Sequence, residues 1–272
     1  MAESLGFCYG VKRAVRMAKE SARPDRVTRT LGPIIHNPQV VAQLAKEGIG
    51  KVEALDEVKD GGGVIIRSHG VGPQIYAEAK ARGIPLTDAT CPHVKRAQSA
   101  AEELAQEGRF VVIVGEKRHP EVKSIFEWSG EKAAVVESEA EAKAITFHAR
   151  LGIVAQTTFS GEKFRRIAHT LLEKSEDVRI VRTICDATDR RQEAAIRLAQ
   201  KVDLMLVIGG KNSANTSRLA QLCAEKCQTH HIETATELRR EWFDHKESIG
   251  ITAGASTPDW IIEEVYQQCQ KI

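Results

Sequence analysis

Short runs of apolar, often β-branched residues alternate along most of this chain with stretches in which apolar residues recur every three or four positions. The runs at residues 64–66, 110–114, 151–155, 178–184, 204–208 and 249–252 have strand length and predict strands. Helical spacing predicts helices over 12–20, 38–47, 94–106, 161–174, 191–200 and 216–227. Such alternation predicts an α/β protein with mostly parallel sheets. In sheets of that kind functional residues collect in the turns beyond the carboxyl ends of strands. Nearly every unusual residue of this chain falls in such a turn.

A weak internal echo runs through the pattern. Asp88-Ala89-Thr90-Cys91 returns rearranged as Cys185-Asp186-Ala187-Thr188, each with strand-like residues before it and a helix after it. Gly6-Phe7-Cys8-Tyr9-Gly10 likewise stands ahead of a helix. The separations between the three cysteines are similar, which predicts three comparable α/β units: residues 1–91 with Cys8, 92–182 with the His119–Glu121 loop, and 183–272 with Cys185.

Composition narrows the classes. Of 272 residues, 42% are hydrophobic and 28% charged, as in ordinary globular proteins. Net charge is +2, from 39 Lys+Arg against 37 Asp+Glu, so no nucleic-acid footprint stands out. The apolar runs are far short of a membrane span. The N-terminal Met1-Ala2-Glu3-Ser4 lacks the charged-then-apolar pattern of a signal peptide, which predicts a cytoplasmic protein with reduced thiols.

Those thiols carry the candidate chemistry. A cysteine where a helix begins has its thiolate stabilised by the helix dipole and nearby N–H groups, and so ligates metal more readily. Cys8, Cys91 and Cys185 share that setting, whereas Cys223, Cys227 and Cys269 read as core packing. Three ligands without a fourth argue against closed structural zinc. They suit an iron–sulfur cubane with one open iron, which can bind substrate as a Lewis acid.

Polar groups in the remaining turns suit an anionic substrate. His36, His69 and His119 occupy the loops His36-Asn37-Pro38, Ser68-His69-Gly70 and Arg118-His119-Pro120-Glu121. By contrast, His148, His169, His230, His231 and His245 read as idle surface residues. The stretches Gly209 to Thr216 and Thr252 to Asp259 join a strand to a helix with glycines and short donors, a plausible phosphate cradle. Gln156-Thr157-Thr158 adds donors at another strand end. Glu121 is the one carboxylate embedded in a histidine loop, placed either to pass protons or simply to begin a helix after Pro120.

In these segments the chain resembles the 4-hydroxy-3-methylbut-2-enyl diphosphate reductase (LytB/IspH) family. The resemblance rests on the stretches just quoted, together with Gly115-Glu116, Thr183-Ile184-Cys185, Arg191-Gln192-Glu193 and Asn212-Ser213-Ala214-Asn215. It implies a trefoil of three pseudo-threefold-related α/β units around a central cavity, with a 4Fe–4S cluster on Cys8, Cys91 and Cys185. It implies reductive removal of the substrate hydroxyl, leaving isopentenyl and dimethylallyl diphosphate, the last step of the non-mevalonate isoprenoid pathway. His36, His69, His119, Ser213, Asn215 and Ser256 would hold the diphosphate, with Thr157 near the hydroxyl and Glu121 relaying protons. No dinucleotide fingerprint follows a strand, so reduced ferredoxin or flavodoxin is the expected donor. The chain departs from the family in a short segment before Gly6, in Ala214 where a second serine is common, and in Arg118 and Ser124 around the His119 loop. An iron–sulfur hydro-lyase, or a redox sensor without catalysis, would share the three-cysteine pattern.

Overall fold

The computed structural model describes residues 1–22, 27–59 and 61–271. Among these, eleven strands form three separate sheets whose pairings are all parallel. The first contains β1 (Thr28–Leu31), β2 (Gly50–Val52), β3 (Gly63–Ile66) and β4 (Leu86–Asp88), in the order β2-β1-β3-β4. The second contains β5 (Phe110–Val114), β6 (Ala134–Val136), β7 (Arg150–Ala155) and β8 (Asp177–Ile180), in the order β6-β5-β7-β8. The third contains β9 (Leu204–Ile208), β10 (Gln228–Ile232) and β11 (Ile249–Ala253), in the order β10-β9-β11.

Ten α-helices accompany them: α1 (Tyr9–Ser21), α2 (Pro38–Lys46), α3 (Pro73–Ala81), α4 (Pro92–Gln106), α5 (Pro120–Trp128), α6 (Glu139–Lys143), α7 (Gly161–Leu172), α8 (Asp186–Ala199), α9 (Ala214–Ala224) and α10 (Asp259–Cys269). All six predicted strands and all six predicted helices are present, with shifted ends. The largest shift is at α8, which starts at Asp186 rather than at Arg191, and β8 stops at Ile180 rather than at Ile184. Beyond β8 the chain is a loop held by side-chain bonds described below.

The three sheet orders are one topology, since the second repeats the first with every strand advanced by four. The third follows the same rule but lacks a fourth strand. In its place the Ala2 amide donates to the Ile251 carbonyl of β11 at 2.9 Å, and Cys8 follows a few residues later. The N-terminal residues thus finish the third sheet's pattern, although they precede the first in sequence.

Packing divides the described chain into two compact units. One gathers Met1–Lys12, Ile35–Leu44 and Asp186–Ile272. Its central strand β9 is buried along its length, and Leu206, Ile208, Ile251, Ile261 and Val265 form its core on one face. On the other face Met205, Val207 and Cys223 pack with Ala195 and Leu219. The other unit, Arg13–Ile34 and Ala45–Cys185, carries the first two sheets. There Leu31, Val64 and Ile66 build one core, and the two faces of β5 and β7 build two more. Central strands of parallel sheets are buried on both faces, hence their unbroken apolar runs. Among the described residues no helix is long and apolar enough to cross a membrane.

Candidate functional site

Each candidate cysteine occupies the same local position. Cys91 follows β4 and caps the start of α4; Cys185 follows the β8 loop and precedes α8; Cys8 precedes α1. The amide of Cys91 donates to the Ser68 carbonyl at 2.9 Å, that of Cys185 to Thr157 at 2.8 Å, and that of Cys8 to Ala255 at 3.1 Å. The acceptors lie in the loops after β3, β7 and β11, the third strand of each sheet. One hydrogen bond, three times repeated, sets each cysteine at a strand end and aims a helix N-terminus behind it. All three are half-buried.

Side chains hold these turns from behind. Ahead of Cys91, the Asp88 carboxylate accepts from the Thr90 amide at 2.9 Å, from Tyr76 Oη at 3.1 Å and from Lys95 Nζ at 2.6 Å. Burial pushes that carboxyl up, but Lys95 and Thr90 outweigh it and leave the carboxyl below its ordinary range. Arg13 donates to the Thr90 carbonyl at 3.1 Å. Ahead of Cys8, the buried Arg191 donates to the Gly6 carbonyl at 2.7 Å. Gly6 has φ +73, a conformation that favours glycine.

Ahead of Cys185 stands Thr183, whose Oγ1 donates to the Ala155 carbonyl at 2.5 Å and accepts from the Ala155 amide at 2.8 Å. One hydroxyl does there what a strand ladder would do. Apolar Thr183→Val is expected to leave both backbone groups unpaired and to lower stability by about 2–3 kcal/mol, with Thr183→Ser near the parent. Denaturant midpoints of the two variants check this, and equal midpoints would remove the clamp.

Glu121 lies in the first turn of α5 and is 2% exposed. Its two carboxyl oxygens face the Thr157 amide at 2.5 Å and the Thr157 hydroxyl at 3.0 Å. Burial pushes this carboxyl up to about 7, and the two Thr157 bonds only partly oppose the rise. At neutral pH the group therefore exists in acid and base forms, as a proton-transfer residue requires. His119 caps the same helix: its Nδ1 accepts from the Glu121 amide at 3.2 Å, so a neutral ring carries its proton on Nε2. The His119 and His69 rings meet edge to face with centroids 5.4 Å apart.

The other unit holds the remaining donors. Ser213 caps α9, accepting from the Thr216 amide and hydroxyl at 3.4 and 3.0 Å. Asn215 is buried, and its Nδ2 has no hydrogen-bond partner. Ser256 Oγ donates to the His36 carbonyl at 3.2 Å, tying the loop after β11 to the His36 turn. Gly209, with φ +143, lets the chain pass so close to Thr257 that a Cβ would stand 2.5 Å from Oγ1. The Ala214 side chain lies outside those described.

Cys223 is buried in the core with its thiol pushed up to about 12 by burial and Cys227; Cys227 and Cys269 pack against the same unit's cores. Neither His148 nor His230 is idle, since each stacks on an aromatic ring at 3.8 Å, on Phe110 and Trp242 respectively. His231 Nε2 lies 2.9 Å from the Gly209 carbonyl. His169 and His245 are exposed. Thr183 and Arg191 carry no separate signal as positioning residues, because each acts on a backbone atom far away in sequence, whereas Asp88 acts locally on the Thr90 amide.

The LytB protein family model matches residues 1–270. The chain belongs to the LytB family. LytB relatives named 4-hydroxy-3-methylbut-2-enyl diphosphate reductase include those of Pelobacter propionicus and Geobacter metallireducens. The first is 49% identical over 97% of this chain and 95% of its own length; the second is 47% identical over 100% and 96%. A solved LytB structure, described as (E)-4-hydroxy-3-methyl-but-2-enyl diphosphate reductase, the terminal enzyme of the non-mevalonate pathway, is 46% identical. It superposes with a TM-score of 0.78 over 100% of this chain and 98% of its own. The Plasmodium falciparum reductase structure is 28% identical with a TM-score of 0.89, covering 97% of this chain and 85% of its own.

Proposed function

We propose that this chain reductively dehydroxylates 4-hydroxy-3-methylbut-2-enyl diphosphate in the cytoplasm, using a 4Fe–4S cluster held by Cys8, Cys91 and Cys185. Family membership supports the activity. The observation that carries the cluster assignment is the repeated amide bond, which gives three soft ligands one local setting. A three-thiolate cluster would supply an open iron for the hydroxyl and a store for electrons. In the overall reaction a C–O bond breaks, two electrons and two protons enter, and water leaves with isopentenyl or dimethylallyl diphosphate.

The chain's own groups supply binding and protons. The protonated Glu121 carboxyl, held against Thr157, delivers a proton toward the departing hydroxyl. The Nε2–H of His119, the rings of His36 and His69, the Ser213 and Ser256 hydroxyls and the Asn215 amide offer donors to a diphosphate, with the orphaned Asn215 amide the clearest of them. Electrons come from a one-electron donor of the ferredoxin or flavodoxin class. Anaerobic incubation with substrate and a reduced viologen dye is expected to consume two dye equivalents per diphosphate product. Product without dye consumption would make the protein a hydro-lyase, and no product at all would leave a cluster-binding sensor.

A further inference from the structure

The His69 loop is joined to α5 through a serine hydroxyl. Ser124 lies three residues after Glu121 and is 2% exposed. Its Oγ stands 2.8 Å from the Glu121 carbonyl oxygen and 3.1 Å from the His69 carbonyl oxygen. A serine hydroxyl has one proton, so the two carbonyls share it. Gln98 of α4 keeps the oxygen in place, its Nε2 donating to Ser124 Oγ at 3.1 Å. That nitrogen is also 3.5 Å from the Val71 carbonyl, which accepts from Trp128 Nε1 at 2.9 Å. Between the two carbonyls the loop passes over Gln98 at Gly70, where φ is +71 and a Cβ would fall 2.3 Å from Nε2.

A mid-helix serine commonly bonds the carbonyl one turn back and does nothing more. Ser124 does that and also reaches a residue 55 positions away, while Gln98 bridges to it from a second helix. The loop carrying His69 is thereby attached to the helix carrying Glu121 and capped by His119. Neither Ser124 nor Gln98 needs to touch substrate to act. By holding the His69 carbonyl they set the reach of its ring.

We propose that Ser124 and Gln98 are positioning residues, which place His69 for the diphosphate by fixing its backbone between α4 and α5. The inference rests on the assignment of His69 to diphosphate binding. Its consequence is a cost in substrate affinity, because misplacing an anchor weakens ground state and transition state alike.

The test uses anaerobically prepared, cluster-loaded protein. Ser124→Ala is expected to raise KM about tenfold with kcat within about twofold of the parent. Hydrogen–deuterium exchange at Gly70 and Val71 should quicken in the same variant. Gln98→Met, which keeps length against Gly70 and removes the donor, should move both readouts the same way, and it carries the test if Ser124→Ala does not fold. Ile125→Val, a packing change on the same helix, should lower stability and leave KM and loop exchange alone. Unchanged KM and exchange in both positioning variants would overturn the proposal, as would an equal KM rise in Ile125→Val. His69→Ala, measured beside them, separates the two claims. If it leaves KM unchanged, the diphosphate role of His69 fails. If it raises KM while Ser124→Ala and Gln98→Met do not, only the positioning role fails.

Discussion

Serine at Cys8, Cys91 or Cys185 is expected to cut activity by more than about 10³-fold, a little over 4 kcal/mol of barrier, and to bleach the broad visible absorption of the anaerobic protein. Serine matches cysteine in size but cannot supply a thiolate, and its hydroxyl stays protonated at neutral pH. None of the three sits fully buried in a core, so the cluster-free variants should unfold near the cluster-free parent. Cys223→Ser is the contrasting control. That thiol is buried among Met205, Val207 and Leu219, and a hydroxyl there should cost about 1–3 kcal/mol of stability while the absorption remains. Absorption spectra, iron content and thermal midpoints for the four variants decide the matter. Full activity in all three ligand variants would sink the cluster assignment.

For Glu121→Gln the expectation is a kcat about 10²- to 10⁴-fold below the parent with KM little changed. The geometry survives the change: a Gln oxygen can accept from the Thr157 amide, and its NH₂ can donate to Thr157 Oγ1, as a protonated carboxyl would. What is lost is the transferable proton. The parent should lose activity as pH rises through about 7, where the carboxyl gives up that proton. Stability carries a second signature of the same burial. Because the folded-state value lies above the ordinary 4.5, the carboxyl is neutral in both states at low pH and costs nothing there. Between 4.5 and about 7 the unfolded chain ionises first, so stability falls by up to about 3 kcal/mol as pH rises through that window. The amide variant should lack this fall, and chemical denaturation at pH 5 and pH 8 measures the difference. A near-normal rate would remove the proton-transfer role.

Two of the strands that the hydrophobic pattern misses, β1 and β10, share a physical trait. In β1 the buried positions include Thr28 and Thr30, and in β10 the sequence Gln-Thr-His-His-Ile hides an edge strand among polar residues. Both are strands because β9 or β3 offers a ladder, not because their own residues favour one. Helix α5 escapes for another reason, since His119 serves as its cap and histidine is not among the usual capping residues. At residues 181–184 the pattern errs the other way. An apolar alternation reads as strand, yet the backbone there is a loop held by Thr183.

The sequence by itself determined the α/β class, the parallel sheets, the family and the candidate ligands, because buried strands demand apolar runs and site chemistry demands particular residue types. Tertiary structure decided what depends on distant neighbours. It placed Cys8 with the last sheet through the Ala2–Ile251 bond, and it gave all three cysteines one amide bond to a strand-end loop. Burial, opposed only in part by the two Thr157 bonds, moves Glu121 into the range where it can exchange a proton. Ser124, a departure from the family pattern when read along the chain, became a bridge between the His69 and Glu121 carbonyls only when α4, α5 and the His69 loop were packed together. Hydrogen bonds and desolvation act through space, so those roles could not be written in local pattern.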